Sequence, residues 1–202
     1  MFDNPGDTLS VDRLQMFDFE SMRSYPAVLE PLLFYVLHRV SQCVHDPCDR
    51  AMKVCVLDEA WRLIQHPAVR SYVQEALKTW RKSNGAMLLA TQSLDDFAST
   101  DLLRTVIESC PTRLLLANPA MNREQYRDLL QMNDAELSLM TNLLPRRQLL
   151  LKRATMAKVL DLNVDPKSYW IYTNTPMDND REALAFRELG IAAGPDRLAT
   201  TA

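Results

Sequence analysis

Apolar and polar positions divide the chain into a regular series of segments. Leu14–Phe19 alternates apolar with polar and predicts a strand. Pro26 opens an apolar segment running to about Val44, long enough for a helix with proline in its first turn. Val28, Leu29, Leu32, Leu33, Val36, Leu37 and Val40 cover more than one stripe, which predicts burial on two sides. Lys53–Leu57 is a continuous apolar run ending abruptly at Asp58-Glu59, as expected of a central parallel strand covered on both faces. From Pro67 to Lys82, apolar residues spaced by three and four predict an amphipathic helix closed by Asn84-Gly85. A second run, Ala86–Ala90, stops at Thr91-Gln92, and a third, Leu114–Ala117, stops at Asn118-Pro119, with a helix from about Asp101 to Ser109 between them. Strand, helix, strand, helix, strand with short joints predicts βαβ units and a parallel sheet.

Further helices are expected over Asn122–Leu130, Asp134–Asn142 and Asn179–Leu189. A hairpin is expected over Gln148–Arg153 and Met156–Leu160, and another strand over Ser168–Thr173.

The composition of the 202 residues, 47% hydrophobic and 24% charged, is that of a globular domain and excludes a disordered or collagen-like chain. A net charge of -3 argues against a protein that coats nucleic acid non-specifically. The longest stretch free of acid, Lys and Arg, Ser83–Leu94, falls short of the roughly 20 residues of a bilayer span. An acidic amino terminus without an apolar core is not a signal peptide, and the four scattered cysteines suit free thiols, so a cytoplasmic location is expected.

In an open parallel sheet, ligands bind beyond the carboxyl ends of the strands. Asp58, Glu59, Thr91, Gln92 and Asn118 all stand there and are expected to converge on one edge. An apolar strand ending in two acids is what a nucleoside triphosphatase uses to hold the Mg²⁺ shell and to take a proton from water. Asp58 capping the following helix is the competing reading. Thr91-Gln92 suits a γ-phosphate sensor, or simply a polar strand terminus. Arg81, turned outward beside Trp80, suits transition-state charge on an adjacent protomer's nucleotide, or a cation at a helix end.

Val54–Trp61 (VCVLDEAW), Leu77–Asn84 (LKTWRKSN), Leu89–Ser93 (LATQS) and Cys110–Pro119 (CPTRLLLANP), in this order and spacing, closely resemble the carboxyl-terminal part of the CagE/TrbE/VirB-type conjugal-transfer ATPases of type IV secretion systems. Phe2–Asn4 and Phe17–Phe19 resemble the segment preceding that stretch. The resemblance implies an α/β, RecA-like P-loop NTPase core of mostly parallel sheet flanked by helices. It implies ATP and Mg²⁺, a hexamer-type homo-oligomer working with other secretion components, and a peripheral position at the bacterial inner membrane. Asp58 then takes the Walker B magnesium role through water, with Thr91 beside the cofactor. Glu59 is catalytic, Gln92 is the sensor, and Arg81 is the finger acting in trans, with Arg146 or Arg147 as second choice.

One element is missing. A phosphate loop, G-x-x-x-x-G-K followed by Ser or Thr, should precede the Walker B strand, yet Gly6 is the only glycine before Asp58 and no lysine follows it at that spacing. The expectation is therefore the carboxyl-terminal part of a RecA-like domain over 1–202, with core to about 161 and terminal elements over 162–202. Whether the chain is an enzyme stays open, and alone it should hydrolyse almost no ATP. The alternatives are a non-catalytic module docking to the secretion apparatus, and a DNA translocator of the same fold. Arg146, Arg147, Lys152, Arg153 and Lys158 lie in an acid-free stretch, Leu137–Leu160, that suits contact with DNA, with a nucleotide in the next subunit or with the coupling partner, or else a solvated edge. Cys43, His45 and Cys48 lack a convincing fourth ligand for zinc.

Overall fold

The computed structural model describes residues 6, 9, 12–22, 24–92, 94, 102–173 and 176–200, in two compact units divided between Cys110 and Pro111. Phe2–Asn4, Ser93 and Asp101 lie outside the described residues.

In the first unit, α1 (Pro26–Val44) begins with proline at its first position, where an amide hydrogen would have had no helical partner. Its buried residues, Leu33, Val36, Leu37 and Val44, form one stripe while Phe34 is exposed, so α1 is covered on one side and not two. Strand β1 (Lys53–Leu57) leads through Asp58-Glu59 into the short α2 (Ala60–Ile64) and then α3 (Pro67–Thr79). A 3-10 turn over Trp80–Ser83 ends at Asn84, whose left-handed conformation reverses the chain into β2 (Gly85–Leu89). Gly85 is required by proximity, since a Cβ there would stand 2.7 Å from Val44 Cγ1 and 3.2 Å from Trp80 Cβ. Helix α4 (Leu102–Ser109) completes the unit.

Strands β1 and β2 are parallel, with Val54 opposite Ala86, Cys55 opposite Met87, Val56 opposite Leu88 and Leu57 opposite Leu89. The helices cover one face. Leu33, Leu37, Leu57, Ala60, Ile64, Val69, Val73 and Leu102 make one buried cluster, and Val44, Ala76 and Trp80 another that reaches Cys55 and Met87. Burial pushes the Cys55 thiol up to about 11, and all four cysteines are free thiols. On the other face Val54, Val56 and Leu88 remain 47–59% exposed. The apolar run predicts a strand covered twice; within the described residues only one cover is present.

In the second unit, β3 (Arg113–Leu116) pairs antiparallel with β4 (Gln148–Arg153), which pairs antiparallel with β5 (Met156–Asp161). The hairpin matches its expectation. The third apolar run does not, because its hydrogen-bonding partner is β4, in an antiparallel sheet separate from β1-β2. Between β3 and β4 lie α5 (Arg123–Leu130), capped by the Asn122 side chain, and α6 (Asp134–Thr141), whose Asn133 and Glu136 form a reciprocal capping box.

Two expected strands are absent. Residues 15–19 form no regular element, Leu14 and Met16 are almost fully exposed, and no described strand pairs with them. Ser168–Thr173 lies mostly in α7 (Pro166–Tyr172). Asp165 accepts a hydrogen bond from Ser168 N (2.9 Å) with Pro166 beside it, and this helix start outweighs the strand propensity of Tyr-Trp-Ile-Tyr. Helix α8 (Pro176–Thr200) kinks at Gly190, and Trp170, Ala185 and Leu198 make the local core. No described helix is long and apolar enough to cross a membrane.

Candidate active site

Beyond their last paired residues, β1 and β2 stay joined. Ala90 N donates to Leu57 O (3.0 Å) and Ala60 N donates to Ala90 O (2.9 Å), clasping the Asp58-Glu59 turn against the end of β2. This clasp holds Glu59 in the left-handed region at φ 49°, a conformation that non-glycine residues adopt only when their surroundings enforce it. Asp58 Oδ1 accepts from Glu59 N (3.0 Å) and its carboxylate is otherwise exposed. Among the described residues Asp58 accepts no hydrogen bond from the later amides of α2, so it is not a conventional helix cap.

The clasp brings together two side chains that are far apart in sequence. Gln92 Nε2 donates a hydrogen bond to Glu59 Oε1, and the other carboxylate oxygen, Oε2, lies 3.9 Å from Arg62 Nε. Arg62 belongs to none of the motifs that single out the other site residues. It stands in the first turn of α2, three residues after Glu59, and the clasped turn leaves its guanidinium beside the carboxylate. Thr91 is half-buried between Ala90 and Gln92.

Of the other expected residues, Arg81 lies elsewhere in the first unit, and Asn118 and Lys152 belong to the second. Arg81 is exposed on the 3-10 turn before β2, whereas Gln92 follows the strand's end. Five strand residues span about 16 Å, so Arg81 is at the opposite end of β2 from Glu59 and does not join the site of its own chain. Asn118 belongs to the second unit, where it accepts from Ala120 N (3.0 Å) and donates to Tyr126 Oη (3.4 Å). Asp58, Glu59, Thr91 and Gln92 end the two strands of the first unit's sheet, whereas Asn118 follows β3 in the antiparallel sheet of the second. Lys152 is no solvated edge cation either. It is 8% exposed, and its Nζ lies 2.6 Å from both carboxylate oxygens of Glu136. Burial opposes ionisation of Glu136, yet Lys152, the Asn133 amide and Arg113 together hold its carboxyl below the ordinary value.

Magnesium is commonly held by one or two carboxylates, with water and substrate phosphates filling its octahedron. The single exposed carboxylate of Asp58 fits that donor set. Among the described residues no cluster of three or more His, Cys, Asp or Glu could hold a metal by itself.

The family model described as the TraG P-loop domain matches residues 9–191. The chain belongs to the TraG P-loop domain family. This P-loop chain is 30% identical over 167 residues to type IV secretion system protein virB4 of Bartonella henselae, covering 81% of the chain and 21% of that protein. It is 28% identical over 170 residues to conjugal transfer protein TrbE of Rhizobium radiobacter, covering 82% and 20%. Type IV secretion system protein CagE of Helicobacter pylori is 31% identical over 140 residues, covering 68% and 14%. The chain thus spans about a fifth of the length of the first two of these relatives. Among solved structures, VirB4 of Thermoanaerobacter pseudethanolicus superposes with a TM-score of 0.58 at 21% identity, over 81% of this chain and 42% of that one. The fold is accordingly the α/β fold of a P-loop domain, with a parallel sheet and helices, and the resemblance read from the motifs holds.

Proposed function

We propose that this chain is the carboxyl-terminal part of an ATP-hydrolysing motor of a type IV secretion or conjugal-transfer system, powering assembly or substrate transfer. The observation that carries the reading is the hydrogen bond from Gln92 to Glu59 beside Asp58, at the carboxyl end of two parallel strands. A P-loop domain needs an acid for the metal shell, a base for water and a polar sensor at this rim, and the three side chains supply them in that order. Asp58 would hold Mg²⁺ through water, and the ion would neutralise charge on the phosphates. Glu59 would polarise the attacking water, and Gln92 would exchange its hydrogen bond to Glu59 for one to the γ-phosphate, with Thr91 beside it.

Arg81 acts only in trans on this reading, completing the site of a neighbour in a hexamer-type assembly at the cytoplasmic face of the inner membrane. Its exposed place far from Glu59 supports that, as does the lack of any partner for its side chain among the described residues. The phosphate loop is supplied by polypeptide outside these 202 residues. Over 1–202 the chain is part of one RecA-like domain, with the elements over 162–202 appended to the core.

Glu59→Gln tests the proposal in the motor that carries this chain together with its phosphate loop. ATP binding should be retained while turnover falls about 10²–10⁴-fold. Turnover equal to wild type would remove Glu59 from its role.

A further inference from the structure

Glu59 is held from three directions. Its backbone is kept at φ 49° by the clasp between β1 and β2, and its carbonyl accepts from Arg62 N (3.0 Å). Its carboxylate is shared between two side chains, with Gln92 Nε2 donating to Oε1 and Arg62 Nε lying 3.9 Å from Oε2. The two partners approach different oxygens and come from different elements, Gln92 from beyond the end of β2 and Arg62 from α2.

The contact with Arg62 is not an ordinary pair on a helix surface, which contributes little. Glu59 precedes α2 in a left-handed conformation that helical residues do not adopt. Its side chain is only 28% exposed, and Arg62 Nε is shut off from water although the rest of that side chain is half-buried. Charges in such surroundings are screened less than at an open surface.

On the proposed reading of function, on which this inference rests, Gln92 gives up Oε1 for the γ-phosphate. The carboxylate then loses one of its two partners, and the terminal torsion of a glutamate is soft. Arg62 is tied through its own amide to Glu59, so it keeps its place beside Oε2. We propose that Arg62 is a positioning residue for Glu59: its guanidinium holds Oε2 once Gln92 departs, and leaves Oε1 as the oxygen that accepts the hydrogen bond of the attacking water. Gln92 and water thus use the same oxygen in turn, which links sensing of the γ-phosphate to freeing of the base. A planar guanidinium fixes direction as well as charge. Direction matters because a misplacement of about 1 Å at a reacting centre can cost about 10²-fold in rate.

The test crosses variants at the two positions in the motor that carries this chain together with its phosphate loop, reading kcat and the KM for ATP. Arg62→Gln should lower kcat about tenfold while KM changes by no more than about twofold. Arg62→Lys, which keeps a cation beside the carboxylate, should recover part of that loss. In the Glu59→Gln background, Arg62→Gln should lower the residual rate by less than about twofold, because the group it positions is gone. A loss of the same factor in both backgrounds would mean that Arg62 acts through the fold and not through Glu59, and would overturn the proposal. So would an unchanged or raised kcat in Arg62→Gln, a raised KM with kcat preserved, or no recovery in Arg62→Lys. Each of these, beside a Glu59→Gln motor that has lost turnover, leaves the functional reading standing. Glu59→Gln at wild-type turnover would instead remove that reading, and this inference with it.

Discussion

Gln92 Nε2 and Glu59 Oε1 are hydrogen-bonded across 33 residues of sequence, and the bond exists because the backbone of Ala90 grips the turn after β1 from both sides. The amide therefore occupies one carboxylate oxygen, while Arg62 approaches the other. That hydrogen bond couples the two side chains directly.

Gln92→Ala tests this coupling within the proposed motor. The substitution removes one donor from the reacting centre, so kcat should fall about 10²-fold with the KM for ATP little changed. An equal rise in KM with kcat preserved would make Gln92 a binding residue and not a sensor.

The ion pair between Lys152 and Glu136 is nearly closed to water, with side chains 10% and 12% exposed. Lys152→Met strands a buried carboxylate and should cost about 3–5 kcal/mol in urea unfolding, whereas Lys152→Met with Glu136→Leu should cost much less. Despite burial, its Lys152 partner holds the Glu136 carboxyl below its ordinary value in the fold. Its stabilisation is full above the unfolded value near 4.3 and is lost as pH falls through the folded value. The Lys152→Met chain should lack that acid-side loss, as Tm measured between about pH 6 and pH 3 will show.

Gly190 adopts φ 75° and ψ 169°, a region open essentially to glycine alone. A Cβ there would meet nothing within 4 Å, so Gly190→Ala introduces strain without a clash. A destabilisation of about 1–3 kcal/mol is expected, seen as loss of amide protection in residues 191–200. Full protection there would show that the kink does not depend on glycine.

The uncovered face of β1 and β2 presents Val54, Val56 and Leu88 side by side. Such a face favours self-association. Replacing Val56 and Leu88 with lysine should reduce concentration-dependent association in sedimentation. Because both residues are exposed, it should change stability by no more than about 0.5 kcal/mol each. Unchanged association would show that the face is not the adhesive surface.

Much of this was legible in the chain itself. Helix starts at Pro26, Pro67 and Asn122, the β4-β5 hairpin, and the strands ending at Asp58 and Thr91 follow from periodicity and capping, which are local. The misreadings share one cause, since strand identity depends on a partner. Leu14–Phe19 has the alternation of a strand and no described neighbour, and the third apolar run finds its neighbour in β4. For Ser168–Thr173 a local cap at Asp165 and burial of Trp170 decide the helix.

The candidate site divides in the same way. Residue type and spacing alone determine that two acids end one apolar strand, that a glutamine follows the next, and that no phosphate loop lies among the 202 residues. Tertiary structure decided that Glu59 and Gln92 touch, that Arg62 joins them, that Arg81 stands at the wrong end of β2 to help its own chain, and that Lys152 is hidden. A sequence records which groups are present. Their distances depend on which backbones pair in which register, and that is set by long-range packing.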